Sequence, residues 1–232
     1  MSELTVTAPR RLLAGGLLWA SLVQIFIVNN AVVMPRASRQ SLTDEIISAL
    51  GVTRCARVEG IRFCSPWHEA ANTAWVVGGL CLALGAVLNT VLLPAGRRRA
   101  VTTGAFVLSG LGLVSAGLNP YNLRLALHLL SAGTCFIAGA VGVLLLGSGF
   151  RHMGRSAWGV TGMVCGVVSL VGTAVTAVHP APSFQGLFER ASAWPSVLWI
   201  IGTGVVLARA AWRTSRHLDD RPGARRARRK EA

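Results

Sequence analysis

Charged residues are scarce in this chain, and acidic residues are the scarcest of them. Asp, Glu, Lys and Arg make up 14% of the 232 residues, whereas hydrophobic residues make up 52% and the mean hydropathy is +0.53. This composition excludes an ordinary soluble domain, in which about 25% of the residues are charged. The 9 acidic residues face 23 basic ones, so the formal net charge is +14. Aromatic residues are also few (6%), and no basic domain with interleaved aromatics is evident, which argues against nucleic-acid binding.

The motifs of the common catalytic and metal sites are missing as well. No C-x-x-C pair favours a redox-active thiol site, and neither H-x-x-x-H nor H-E-x-x-H spacing favours zinc. Nothing resembles the G-x-S-x-G turn of serine hydrolases, for which Ser65 and Ser131 would be the candidate nucleophiles. We therefore expect no metal and no cofactor.

Long apolar runs are what the chain does have. Each is about 20 residues long, enough to cross the hydrocarbon core of a bilayer as a helix. The runs cover residues 12–33, 71–93, 101–118, 127–148, 157–178 and 195–212. They predict an all-α polytopic membrane protein: a six-transmembrane-helix bundle over residues 1–212, followed by a disordered basic tail at 213–232. Gln24, Asn29 and Asn30 lie in the outer half of the first run, where amides should face the bundle.

Arginines flank every second apolar run. The groups are Arg10 with Arg11, Arg97 to Arg99, Arg151 with Arg155, and the tail from Arg213 to Lys230. Short cytoplasmic segments collect basic residues, so this pattern predicts that both termini are cytoplasmic. The cytoplasmic segments then carry a net charge of +12 and the outer segments one of +2. The excess of basic residues therefore indicates the orientation of the chain in the membrane. The expected partner is the lipid bilayer, whose anionic headgroups could hold the tail, together with a lipid or a membrane protein.

The outer loop, residues 34–66, contains a pattern typical of a short helix. The segment from Ser41 to Asp44 resembles a capped helix start, and Leu42, Ile46 and Leu50 then share one face before Gly51. We predict an amphipathic helix of about 9 residues, lying on the bilayer surface or on the mouth of the bundle. It would act either as a connector or as a gate.

The same loop contains a predicted β-hairpin. A turn at Gly60 pairs Cys55 with Cys64 and Arg57 with Arg62. In that register the cysteines face each other where the strands approach most closely, which predicts a disulfide on the outer side, where disulfides persist. A redox-active pair is the alternative. The facing arginines could bind a lipid phosphate or carboxylate, or could simply be solvated.

Polar side chains gather at the outer ends of spans two, four and six. The candidate catalytic residues are His68, His128 and Glu189, and the candidate binding residues are Asn72, Asn122, Arg124, Arg190, Arg57 and Arg62. Ionisable groups near the membrane are costly unless they are paired, so such a cluster indicates a site. A zinc site would need His68, His128 and His179 to meet. The structural alternative is a network in which His and Asn side chains hold spans two and four together.

Short motifs of this cluster occur in a characteristic order along the chain. They comprise Ser65, Pro66, His68 and Asn72; Gly117, Leu118, Pro120 and Asn122; His128; and Gly186, Glu189 and Arg190. Over residues 10–212, this order resembles the bacterial membrane family catalogued as domain of unknown function 998. The resemblance implies a six-span bundle with its polar cluster on the outer side, and it implies no activity. Together with the near-total use of Arg over Lys, it leads us to expect the cytoplasmic (inner) membrane of a bacterium.

Three classes of function fit these observations. The first is a non-catalytic sensor, scaffold or accessory protein of a membrane or lipid pathway, favoured because no complete catalytic constellation is evident. The second is a small membrane enzyme acting on a lipid or isoprenoid headgroup through His68, His128 and Glu189. The third is a carrier or permease subunit, although no broken helix or mid-membrane charge marks a substrate path. Convergence of the three acid/base residues around a cavity would favour the enzyme.

Overall fold

Six long helices account for most of the chain. In the computed structural model, which describes residues 9–38, 41–58, 60–178 and 183–219, all six are long and apolar enough to cross a membrane. Their bounds are Pro9–Arg36 (α1), His68–Leu92 (α2), Arg97–Leu118 (α3), Leu125–His152 (α4), Ser156–Val178 (α5) and Gln185–Asp219 (α6). The predicted all-α, six-helix polytopic bundle is therefore confirmed.

The first helix is irregular along its second half. Its α-helical parts, Pro9–Ala20 and Val23–Phe26, are followed by a π-helical stretch, Ile27–Val33, and a 3₁₀ turn, Met34–Arg36. A π-helix widens the helical turn and is frequent at functional sites. This one contains Asn29 and Asn30, two of the amides expected to face the bundle.

The helices form a ring in sequence order. Each packs against the next helix along the chain, and α6 returns to pack against α1. Because α4 also contacts α6, α5 lies at the periphery, and only 22% of its apolar window is buried. Paired glycines let backbones approach closely: Gly79 of α2 lies against Gly110 of α3, and Gly16 of α1 lies against Gly204 of α6.

The last helix is longer than the predicted span at 195–212. It starts at Gln185, so Glu189 and Arg190 lie inside the helix and not in the loop before it. Their charged side chains lower the hydropathy of the first turns of the helix, so the apolar run begins later than the helix does. Both side chains are nevertheless buried. The helix also runs on to Asp219, into the tail predicted to be disordered; residues 220–232 lie outside the described part of the chain.

The predicted amphipathic helix of the loop is wrong in its extent. Ser41 does cap a turn, since its Oγ accepts a hydrogen bond from the backbone N–H of Asp44 at 3.1 Å. The backbone is then extended at Ile46, and only a short 3₁₀ helix, Ile47–Gly51, follows. The first N–H groups of that 3₁₀ helix bind the side chain of Glu189, and this tertiary contact replaces the local helix.

The predicted hairpin is confirmed in its register. Strands β1 (Arg54–Val58) and β2 (Ile61–Ser65) are antiparallel, with Cys55 opposite Cys64 and Arg57 opposite Arg62. A disulfide joins the two cysteines. We call the end of the bundle that carries this sheet the hairpin end.

Candidate functional site

A segment of the loop covers the bundle at the hairpin end. This roof is the 3₁₀ helix Ile47–Gly51, in which Ser48, Ala49, Leu50 and Gly51 are buried. Two side chains hold its final carbonyls: Ser65 Oγ donates to the Leu50 oxygen at 2.6 Å, and Asn72 Nδ2 donates to the Gly51 oxygen at 3.0 Å. The roof is therefore attached to α2 and to the strand before it.

Glu189 holds the opposite end of the roof. Its carboxylate accepts hydrogen bonds from the backbone N–H groups of Ile47 and Ser48, and from Ser48 Oγ at 2.6 Å. Hydrogen bonds to an ionised group are shorter and stronger than neutral ones. Glu189 is only 5% exposed, so its carboxylate has lost most of its water. The three donors replace the hydrogen bonds that this water would have made.

His128 of α4 completes this arrangement from the other side of the cavity. Its Nε2 lies 3.0 Å from Ser48 Oγ, and its Nδ1 lies 2.8 Å from the carbonyl oxygen of Asn119. Because a carbonyl can only accept, Nδ1 carries a hydrogen and donates it. The ring also packs edge-on against Tyr121, with centroids 5.5 Å apart, and is 1% exposed. Ser48 thus links a histidine to a carboxylate inside the bundle.

Arg190, the next residue along α6, binds the chain just before the roof. Its Nη1 donates to the carbonyl of Glu45 at 2.5 Å and to the carbonyl of Gly186 at 3.0 Å. Its guanidinium lies 5.5 Å from the ring centre of Trp194, within the range of a cation–π contact. Arg190 is 3% exposed, so a buried cation is used to position backbone.

A cavity of about 90 Å³ lies beneath the roof. Its walls come from α1, α2, α3, α4 and α6, and most of the lining side chains are apolar. Polar groups at the roof end include Asn29, Ser48, His128 and Glu189. On the α1–α6 side, the half-buried rings of Phe26 and Trp194 stand 5.5 Å apart. The cavity is therefore apolar along its length and polar under the roof.

The structure brings together only part of the predicted cluster. His128 and Glu189 meet through Ser48, but His68 bonds through Nδ1 to the Ser65 carbonyl at 3.0 Å and is not among the described residues that line the cavity. His179 lies outside the described residues. Within the described ranges, no three His, Cys, Asp or Glu residues are grouped so that they could hold a metal ion.

The predicted binding residues lie around the roof and hairpin, outside the cavity. Asn122 bonds to the backbone N–H and to the Oγ1 of Thr53, both at 3.0 Å, and so fixes the chain after the roof. Arg124 donates to Asn119 Oδ1 at 3.2 Å. Arg57 and Arg62 are exposed on the hairpin.

Sequence reasoning missed the residue that links the cluster. Ser48 lies in a stretch of the loop without a motif, and only the fold brings its hydroxyl to His128. Asn29 could be found, because an amide inside an apolar run is expected to face the bundle and not the lipid. It is 5% exposed and lines the cavity.

These features define a polytopic membrane protein whose ring of helices encloses a roofed cavity. The family model described as "Protein of unknown function (DUF998)" matches residues 9–206, so the chain belongs to that family. The match runs from the first residues of α1 well into α6, and it includes the roof and every member of the buried cluster. Comparisons with curated proteins and with solved structures give no match.

Proposed function

We propose that this protein is a non-catalytic accessory or sensor protein of a membrane lipid pathway, and that it binds part of an amphiphilic lipid in the roofed cavity. The observation that carries this proposal is the cavity itself, with apolar walls along the bundle and polar groups collected under the roof. Ligand sites are commonly apolar cavities with a few placed polar groups, and membrane bundles meet lipid on every side.

The hydrogen bonding of the buried cluster supports a structural role for its polar groups. Glu189 accepts hydrogen bonds from two backbone N–H groups and one hydroxyl, and His128 Nδ1 donates to the carbonyl of Asn119. A general acid or base must exchange a proton with a substrate, whereas these groups hold the roof in place.

Filling the cavity should remove the bound lipid. Ala132 of α4 lines the cavity, so Ala132→Phe places a phenyl ring in the space that a lipid would occupy. We expect the wild-type protein to retain a lipid during purification in mild detergent, and the variant to lose most of it. Lipid extraction followed by mass spectrometry measures the amount retained per chain.

Ala126→Phe is the matched control for this experiment. Ala126 lies on the same helix but is exposed, and it is not among the described residues that line the cavity. This variant should retain as much lipid as the wild type. Equal retention by both variants, or a wild-type protein free of lipid, would contradict the proposal.

We further propose that the hairpin end faces the outside of a bacterial cytoplasmic membrane and that both termini are cytoplasmic. The disulfide between Cys55 and Cys64 supports this orientation, because disulfides persist in oxidising compartments. The arginines between the helices, such as Arg97 and Arg151, would then lie inside.

A green fluorescent protein fused to the C-terminus tests this orientation, because it becomes fluorescent in the cytoplasm and not after export by the general secretory route. We expect a fluorescent fusion. In the same cells, a maleimide reagent should modify Cys55 and Cys64 only after reduction. A dark fusion at normal expression would contradict the proposed orientation.

A lipid-modifying enzyme is the second candidate, favoured by one contact. Ser48 Oγ lies 3.0 Å from His128 Nε2, the geometry of a nucleophile and its base. The closer neighbour of that hydroxyl is the Glu189 carboxylate at 2.6 Å, so its single hydrogen is directed away from the base. A fluorophosphonate probe decides between the two functions. We expect no labelling above the background of Ser48→Ala; specific labelling of Ser48 would establish the enzyme.

A further inference from the structure

One polar atom in the cavity lacks the partner that its burial calls for. Asn29 is 5% exposed and lines the cavity, yet its Oδ1 has no hydrogen-bond donor among the residues that the structure describes. The neighbouring amides differ in this respect. Asn30 Nδ2 donates to the Phe26 carbonyl at 3.0 Å, and Gln24 Nε2 donates to the Ala74 carbonyl at 2.9 Å. An unpaired buried acceptor is unfavourable, and a ligand that donates a hydrogen bond would remove that cost.

The local backbone gives this side chain its place. Asn29 lies in the π-helical stretch Ile27–Val33, where the backbone N–H of Met34 bonds to the Asn29 carbonyl five residues earlier. Such stretches are rare and frequently lie at functional sites. Two independent features, the backbone and the unpaired oxygen, therefore mark the same residue.

The charges around the cavity select against an anionic ligand. Glu189 supplies a carboxylate at the roof end, and no arginine or lysine is among the described residues that line the space. Arg190, the nearest cation along the chain, is not among the described residues that line the cavity, and its Nη1 donates to the carbonyls of Glu45 and Gly186. A phosphate under the roof would face the carboxylate, and no cation among the described lining residues would compensate its charge.

The shape of the cavity limits the apolar part of the ligand. Its lining on α4 extends from His128 under the roof to Ala140, and the rise of an α-helix places these two residues about 18 Å apart. A volume of about 90 Å³ spread along such a length is narrow. It suits one chain and not the paired tails of a bilayer lipid.

We infer that the cavity binds an uncharged single-chain alcohol, whose hydroxyl donates a hydrogen bond to Asn29 Oδ1 while its chain lies along the apolar walls. This inference rests on the proposed lipid-binding function and names the ligand class. A straight-chain fatty alcohol and an isoprenoid alcohol share this chemistry. They differ in the branching and the unsaturation of the chain.

Four probes test the inference on the full-length protein in phosphatidylcholine nanodiscs. They are hexadecanol, farnesol, the methyl ether of hexadecanol, and hexadecyl phosphate. Thermal stabilisation and native mass spectrometry report binding at equal mole fractions in the bilayer. We expect at least one alcohol to bind in one copy per chain. The ether has no donor and the phosphate is charged. Each should bind at least about tenfold more weakly than the alcohol, as expected for the loss of one buried hydrogen bond.

Two asparagine variants provide the matched comparison. Asn29→Leu removes the acceptor while keeping the branching and the number of heavy atoms of the side chain, and it should weaken binding of the alcohol about tenfold. Asn89→Leu is the control, since Asn89 is also buried and has no hydrogen-bond partner among the described residues, but is not among those that line this cavity. It should bind the alcohol as the wild type does.

The outcomes separate the inference from the proposed function. If the ether or the phosphate binds the wild-type protein as tightly as the alcohol, the inference is overturned, while lipid binding in the cavity stands. The same holds if Asn29→Leu and Asn89→Leu bind alike. If no probe binds and no lipid co-purifies, the proposed function fails as well. The comparison of alcohol with ether needs no variant, so it remains decisive if Asn29→Leu does not fold.

Discussion

Replacing Glu189 by leucine is expected to lower the free energy of unfolding by about 3–5 kcal/mol, because three hydrogen-bond donors lose their common acceptor. The substitution leaves the N–H groups of Ile47 and Ser48 and the Ser48 hydroxyl without their acceptor, and each unsatisfied buried group costs about 1–3 kcal/mol. Reversible unfolding in mixed micelles measures the change. Limited proteolysis between Ser41 and Thr53 reports whether the roof has been released.

Glu69→Leu is the control for this experiment. Glu69 is exposed in the first turn of α2, where a carboxylate contributes at most about 1 kcal/mol through the helix dipole. If Glu189→Leu loses no more stability than this control, the carboxylate does not hold the roof. The proposed role of the buried cluster would then have to be abandoned.

Gly110→Ala is expected to destabilise the bundle by about 2–3 kcal/mol, as overpacking does in well-packed cores. A Cβ at Gly110 would lie 2.5 Å from the carbonyl oxygen of Gly79 and 2.9 Å from the backbone nitrogen of Ala83. Those atoms belong to the backbone of α2 and cannot rotate away, so α2 and α3 have to separate. The measurement is again unfolding in micelles, together with near-ultraviolet circular dichroism of the packed tryptophans.

Gly104→Ala is the matched control on the same helix. A Cβ there meets no atom within 4 Å among the described residues, so the substitution gains helix propensity without a clash. We expect it to stabilise the protein by about 0.5–1 kcal/mol. Opposite signs for the two variants would show that close backbone contact, and not glycine as such, stabilises the α2–α3 pair. Equal effects would count against that contact.

Together these variants separate two sets of contacts, those between the helices and those between Glu189 and the roof. The glycine contacts set the distance between helices and so the width of the enclosed space. The Glu189 contacts set the position of the roof above it. The affinity for a ligand in the cavity would depend on both sets of contacts. The control variants of the lipid-binding tests therefore leave both sets intact.

Local features of the chain were predictable from the sequence. A run of apolar residues has to form a helix in a bilayer because no other backbone structure satisfies its own hydrogen bonds there. The hairpin depends on a turn at Gly60, whose φ of 80° suits glycine, and on the pairing of Cys55 with Cys64 across that turn. Both features depend on residues close to one another in the chain.

Features that depend on distant residues were predicted in part or not at all. His128 and Glu189 were both among the predicted site residues, and each contacts Ser48, which the sequence did not single out. The loop helix was overextended because its local pattern is amphipathic, whereas Glu189 from α6 binds its backbone N–H groups. A contact over 142 positions has no signature in the local pattern.

The sequence by itself therefore determined the class of the protein, the number of its spans, the hairpin and the family. The tertiary structure decided which polar residues meet, where the roof lies, and that Asn29 lines a cavity while its Oδ1 has no donor among the described residues. The physical reason is the range of the interactions involved. Hydropathy and turn geometry act along the chain, whereas a buried hydrogen bond depends on the position of its partner in space.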